Sequence, residues 1–259
     1  MCLLAFDWQP QTLTPLRLIG NRDEFHDRPT QALHDWKDAP IVGGRDLQAG
    51  GSWLAVNRLT GRVATLTNVR DPDLITPPGT PSRGELVHQA LTCPNLEDWL
   101  QQLHNEAHQH AGFNLLVATP HTLWHMHRGR ENITLGRVSE GLHVVSNANL
   151  DTPWPKAVDL REAMLADRQT PSADWPHHAL RAIQQRREAP SDAVPDTGIA
   201  PALEKKLSAA FIVGESYGTR ATTWLTAHQG GSISITEQSF GPMGVPRGDI
   251  SLTLETAWA

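Results

Sequence analysis

Leu16-Arg17-Leu18-Ile19-Gly20-Asn21-Arg22-Asp23-Glu24-Phe25 is an apolar run that passes without a break into a dense polar cluster. The run before it, Cys2 to Trp8, is also apolar and is followed by Pro10. Two short apolar runs this close together predict a pair of neighbouring strands, a hairpin that begins at the N-terminus. Pairing would bring the polar cluster back beside Cys2. A carboxylate there can hold an ammonium group or orient an amine, and a guanidinium can bind an anion or lower a thiol pKa. The competing reading is a turn in which Asn21 and Asp23 satisfy backbone groups.

Working outward, Gly43-Gly44 and Gly50-Gly51 read as the brackets of a loop. Residues 53–56 and 63–66 read as a hairpin turned at Thr60-Gly61. After a Pro-rich loop (Pro72, Pro77, Pro78, Pro81) the period changes to helical. Leu86, Val87, Ala90 and Leu91 share one face, with Ser82 as N-cap and Glu85 three residues on. Leu96, Trp99, Leu100 and Leu103 repeat at i, i+3, i+4, i+7. Residues 113–118, 122–127 and 142–146 read as strands. Helices are expected from about Pro155 (Ala157, Leu160, Met164 inward) and from about Trp175 (Ala179, Ala182, Ile183 inward). Residues 187–202, with three prolines, read as a surface loop, and strands at 209–213, 221–226, 232–236 and 250–254 close the chain. Strand blocks alternating with helical blocks, without repeat or linker, predict one α+β layered domain over residues 1–259.

The composition excludes several classes. The chain has 259 residues and a net charge of −6, with no Lys/Arg run, which speaks against nucleic acid as a partner. Two cysteines, Cys2 and Cys93, exclude a disulfide-stapled fold and a thiolate zinc site. No apolar run approaches a membrane span, and Asp7 interrupts the first apolar run too early for a signal peptide; a cytoplasmic protein without integral membrane association is expected. His104 and His108 stand at helical i, i+4, but no third ligand completes a metal spacing, and a solvated face is expected instead.

Cys2 is the candidate nucleophile. Removal of Met1 would leave a thiol and an α-amine on one residue, and an amine with a reference pKa of about 7.7–8.0 can take the proton from its own side chain. Its bland alternative is a small buried residue on the first strand. Asn68 and Asn147 each end an apolar strand, where a carboxamide can donate to a developing oxyanion; Asn is also common where strands simply stop.

Met1-Cys2, Asn21-Arg22-Asp23-Glu24-Phe25 with Arg28-Pro29, Gly50-Gly51-Ser52-Trp53-Leu54, Leu66-Thr67-Asn68, Arg83-Gly84-Glu85-Leu86, Gly112-Phe113-Asn114-Leu115, Ser146-Asn147 with Thr152-Pro153-Trp154-Pro155-Lys156, and Tyr217-Gly218-Thr219-Arg220 occur in this order. Together they resemble the NRDE family, that of transport and Golgi organisation protein 2. His26 stands where most members carry Tyr. The family is distantly similar to N-terminal-nucleophile hydrolases of the choloylglycine hydrolase and penicillin V acylase type, which implies a four-layer αββα sandwich. The resemblance makes Cys2 the nucleophile and Asp23 the partner of its amine, with Asn68 and Asn147 serving oxyanion and amine. Asn21 and Arg220 fall on further site positions. The hydrolases have Arg immediately before Asn-x-Asp, where this chain has Gly20. Arg22 lies between Asn21 and Asp23, so strand alternation points it to the face opposite theirs, and the guanidinium beside the thiol is expected to be missing.

Two functions follow as expectations. One is hydrolysis of a linear amide C–N bond, with no cofactor required. The other is a non-catalytic protein that binds and moves haem or an acyl lipid or acyl-CoA. In that case a small amphipathic ligand sits in the pocket and His26 is the nearest candidate for a haem ligand.

Overall fold

The computed structural model describes residues 2–76, 79–169 and 175–258. Its strands are β1 (Cys2–Trp8), β2 (Leu16–Phe25), β3 (Thr30–Asp35), β4 (Ile41–Asp46), β5 (Leu54–Asn57), β6 (Val63–Asn68), β7 (Phe113–Ala118), β8 (Leu123–Arg128), β9 (Ile133–Arg137), β10 (Gly141–Val145), β11 (Tyr217–Ala227), β12 (Ser232–Phe240) and β13 (Pro246–Glu255). The helices are α1 (Arg83–Thr92), α2 (Leu96–Glu106), α3 (Pro155–Gln169), α4 (His177–Ile183) and α5 (Pro201–Leu207). One sheet has the order β10-β1-β2-β11-β12-β13 and the other β3-β4-β5-β6-β7-β8-β9, and all the pairings are antiparallel.

Alternation along β1 and β2 explains the layering. Leu4, Phe6, Trp8, Leu16 and Leu18 pack against Val42, Leu54, Val56 and Leu116 of the second sheet. Leu3, Ala5 and Ile19 point the other way, onto Leu160 and Met164 of α3 and Ala179 and Ile183 of α4. The outer face of the second sheet carries α1 and α2 through Leu86, Val87, Leu100 and Leu103. Both faces of β1 are thus covered, which is why it reads as a continuous apolar run rather than an alternating one.

Several expectations need correction. Gly43-Gly44 lies inside β4, not in a loop. A Cβ on Gly43 would fall 2.5 Å from Ala55 Cβ, and one on Gly44 would fall 2.1 Å from the Trp53 ring, so these glycines admit close neighbours within a sheet. Residues 209–213 are buried but form no strand, because their backbone partners are scattered: Phe211 N–H donates to Gln185 O, and Ile212 N–H to Thr219 Oγ1. The loop expected over 187–202 runs into α5, which starts at Pro201, and β3, β4 and β9 add strands beyond the expected ones. Ser82 occupies the N-cap of α1 without a side-chain capping bond, so the expected capping box does not form.

Candidate active site

The register of the first hairpin builds the site. Cys2 pairs with Arg22, Leu4 with Gly20 and Trp8 with Leu16. Directly opposed residues on an antiparallel ladder share a face. Arg22 does point away from Asn21 and Asp23, as alternation requires, but Cys2 lies on Arg22's face. The guanidinium expected to be missing beside the thiol is therefore present. Cys2 and Arg22 open onto a cleft of about 130 Å³, together with Asp23, Glu24, Arg28, Asp46, Ser52, Trp53, Leu66, Asn68, Ser82, Arg83 and Gly84.

Arg22 is held on three sides. It stacks 4.5 Å from the Trp53 ring centroid, donates to Thr30 Oγ1 at 3.2 Å and lies 3.5 Å from Asp46. Asp46 also accepts from Arg28 Nε at 2.6 Å and from the N–H groups of Gln48 and Ala49. Burial opposes its ionisation, but these donors prevail and hold its carboxyl below the ordinary range. Burial pushes the Cys2 thiol up, and the charge on Asp23 adds to this. Arg22 and a hydrogen bond from the Asp23 backbone pull against it without prevailing. The net effect favours the neutral thiol over the thiolate.

Asn68 ends β6 on the cleft wall, and its side chain makes no hydrogen bond among the described residues. Asn147 is fully buried; its Nδ2 donates to the Asn68 carbonyl at 2.8 Å. Ser146 Oγ donates to the Cys2 carbonyl at 3.1 Å. The end of β10 thereby ties the first residue of β1 to the last residue of β6, one strand from each sheet. Asn147 itself lines a separate cavity of about 510 Å³, with Arg70, His127 and Trp154.

The remaining candidates turn their side chains to other parts of the fold. Asn21 points into the helix layer. Its Nδ2 donates to the carbonyls of Ile183 and Ala210, both at 2.8 Å, and its Oδ1 accepts from Thr222 Oγ1 at 2.7 Å. Both hydrogens of its amide and its oxygen are thus engaged within the fold, a structural duty for this side chain. Asp23 Oδ1 accepts from Thr219 Oγ1 at 2.7 Å on the same side of the sheet. Burial raises the Asp23 carboxyl pKa against the pull of Lys156 and of that hydrogen bond. Arg220 sits at a register shift of β11 and donates to the carbonyls of Phe25 and Arg28, clamping the turn after β2. His26 packs beside Gly218, and neither it nor Arg220 lines the Cys2 cleft. Among the described residues, no group of three or more His, Cys, Asp or Glu side chains is arranged to hold a metal ion, and no helix is long and apolar enough to cross a membrane.

Comparison with known proteins agrees with the ordered motifs. The family model described as Transport and Golgi organisation 2 matches residues 1–242. This chain belongs to that family. A Transport and Golgi organization 2 homolog from Mus musculus is 30% identical over 270 residues, covering 92% of this chain and 93% of the mouse protein. The Bos taurus homolog is 31% identical over 264 residues and the Homo sapiens homolog 30% over 262, with the same shares covered.

Two further residues of the quoted motifs, Arg83 and Lys156, take positions near the site that the sequence alone does not single out. Arg83 is the first residue of α1 and lines the Cys2 cleft. Lys156, at the second position of α3, is buried on the opposite side of the β1–β2 sheet and donates to Leu207 O at 2.9 Å. Burial pulls its pKa down to about 8, although the charge on Asp23 opposes the fall. A lysine inside an apolar helix face was the available signal, since Lys is almost never buried without a partner.

Proposed function

We propose that this protein is an N-terminal-nucleophile amidohydrolase that cleaves a linear amide C–N bond, with Cys2 as nucleophile, acting as one domain over residues 1–259 on an αββα scaffold of the choloylglycine hydrolase type. The observation that carries the reading is the opening of the Cys2 thiol onto a cleft that Arg22, Asn68 and the Asp23 backbone also face.

Removal of Met1 gives residue 2 a free α-amine at the end of β1 next to Asp23. The neutral amine takes the thiol proton as sulfur attacks the carbonyl carbon, and the carbonyl oxygen becomes the oxyanion. The uncommitted carboxamide of Asn68 supplies a donor to it. Asn147 fixes Asn68 through the 2.8 Å bond to its carbonyl, so Asn147 is a positioning residue. The tetrahedral adduct collapses, the C–N bond breaks, and the ammonium proton leaves with the amine product. Water then attacks the thioester, with the same amine as base, releasing the acid and restoring the thiol. A raised thiol pKa is compatible with this route, because proton transfer accompanies attack.

The volume of about 130 Å³ supports this reading over enclosure of haem. Pockets that bury a drug-sized ligand run to about 300–1,000 Å³ and are mainly apolar. This cleft fits the reacting end of a molecule and is lined by charge. Free Cys2 and Cys93 suit a reducing compartment such as the cytoplasm. The test is hydrolysis of a panel of N-acyl amides by the purified protein. Cys2→Ala is expected to abolish turnover and Cys2→Ser to leave a small residue of it. Turnover unchanged in Cys2→Ala would refute the proposal.

A further inference from the structure

We propose that Arg83 and Ser82 form an anion subsite beside the Cys2 thiol, and that the cleft takes an amide bearing a carboxylate within a few bonds of its carbonyl group. The inference deepens the amidohydrolase reading and rests on it for the identity of the second group.

The argument is one of accounting among the charges of the cleft. Arg22 is paired with Asp46 at 3.5 Å; Arg28 is paired with Asp46 at 2.6 Å and with Glu24 at 3.9 Å. Arg83 differs: among the described residues it forms no ion pair. Among the described residues its side chain makes one hydrogen bond, from Nη1 to the Gly112 carbonyl at 3.0 Å, which leaves the rest of the fork for another partner. Arg stays charged in proteins. Glu24 of the same cleft attracts Arg83 through space but closes no ion pair with it and also faces Arg28, so Arg22, Arg28 and Arg83 share two carboxylates, Asp46 and Glu24, and Arg83 has room for a further anion. The planar fork matches a carboxylate in two-point geometry.

The second donor is Ser82. In the N-cap position of α1 it makes no capping bond, so its hydroxyl is left for the cleft it lines. Both residues are held in place by backbone contact. Ser52 N–H donates to the Gly84 carbonyl at 3.1 Å, and Gly51 lies so close that a Cβ there would stand 2.3 Å from the Gly84 carbonyl carbon. The small volume of the cleft sets the spacing: an anion on Arg83 and a carbonyl at Cys2 must belong to neighbouring parts of one molecule.

The test is equilibrium binding to the full chain, measured by NMR titration with N-acetylglycine and with its neutral amide, N-acetylglycinamide. The wild type is expected to bind the acid about tenfold or more tightly than the amide. Arg83→Gln is expected to bring that ratio close to one, Arg83→Lys to keep part of it, and Ser82→Ala to reduce it, each with the Cys93 alkylation rate unchanged as a check on folding. If Arg83→Gln fails to fold, the other two variants decide. A preference for the acid that survives these substitutions, or no binding of either probe, overturns the proposal. The measurement needs no turnover, so an inactive protein that still prefers the acid through Arg83 would refute hydrolysis and leave the anion subsite standing.

Discussion

Asn21 sits in the most recognisable motif of the chain, and the structure gives it a structural duty that a substitution can separate from chemistry. In Asn21→Ala, two carbonyls and one hydroxyl lose their partner: Ile183 O, Ala210 O and Thr222 Oγ1. Ile183 is the last residue of α4, so its carbonyl has no partner within the helix, and Asn21 is in effect the cap of that helix from another element. The site is fully enclosed, so water cannot replace the carboxamide without rearrangement. At about 1–3 kcal/mol for each buried group left unsatisfied, with partial relaxation, the expected loss is about 3–5 kcal/mol. That is a large part of the roughly 5–15 kcal/mol that holds an ordinary protein folded. Urea unfolding followed by tryptophan fluorescence measures it. Thr222→Val, which removes one of the three bonds, is expected to cost about 1 kcal/mol. Alkylation of Cys2 in the folded fraction at low temperature is expected to match the wild type. An Asn21→Ala protein of unchanged stability that loses Cys2 reactivity would refute the assignment and return Asn21 to the site.

Gly51→Ala places a Cβ 2.3 Å from the Gly84 carbonyl carbon, where backbone and not a flexible side chain must yield; a loss of about 1–3 kcal/mol is expected in urea unfolding, with slower alkylation of Cys2 as the start of α1 is displaced. His125 is buried and bonded to Asn114 Oδ1, and burial brings its pKa from 6.5 to about 4. The unfolded chain therefore binds more protons between pH 6.5 and 4, so stability is fully present above 6.5 and falls as the pH drops through that window, by up to about 3 kcal/mol. His125→Gln is expected to flatten the pH dependence of the urea midpoint between pH 4.5 and 7, and a slope equal to the wild type's would contradict this. Trp53→Leu removes the ring stacked on Arg22 and is expected to cost about 1–2 kcal/mol of that guanidinium's placement, read as a slower reaction of Cys2 with anionic iodoacetate than with neutral iodoacetamide; equal slowing of both would count against it.

The first hairpin was legible because two apolar runs so close together leave little choice of partner. Its pairing brings the polar cluster beside Cys2 as expected, and the structure adds the register, with Trp8 opposite Leu16 and Cys2 opposite Arg22. The place of Arg22 is not legible from alternation along β2 alone, because the face that Cys2 takes depends on the register of β1 against β2. Gly43-Gly44 misled for a physical reason, since glycine marks both a turn and a close approach, and only the partners Ala55 and Trp53 tell them apart. Residues 209–213 are apolar because they are buried, and they are irregular because their backbone groups bond to Gln185, Asn21 and Thr219, which no local pattern encodes. Arg83 could not be ranked above the other arginines from sequence. Its distinction is that it forms no ion pair among the described residues, and that emerges only once Arg22 and Arg28 have been placed around Asp46.

The central claim is that residue 2 becomes a free N-terminal cysteine whose thiol reacts from the cleft. Intact-mass and peptide mass spectrometry after a short incubation with p-nitrophenyl acetate tests it in one measurement. The expected result is a chain that begins at Cys2 and carries one acetyl group on that residue, absent in Cys2→Ala. A chain that retains Met1, or one whose Cys2 stays unmodified while Cys93 reacts, would contradict the account.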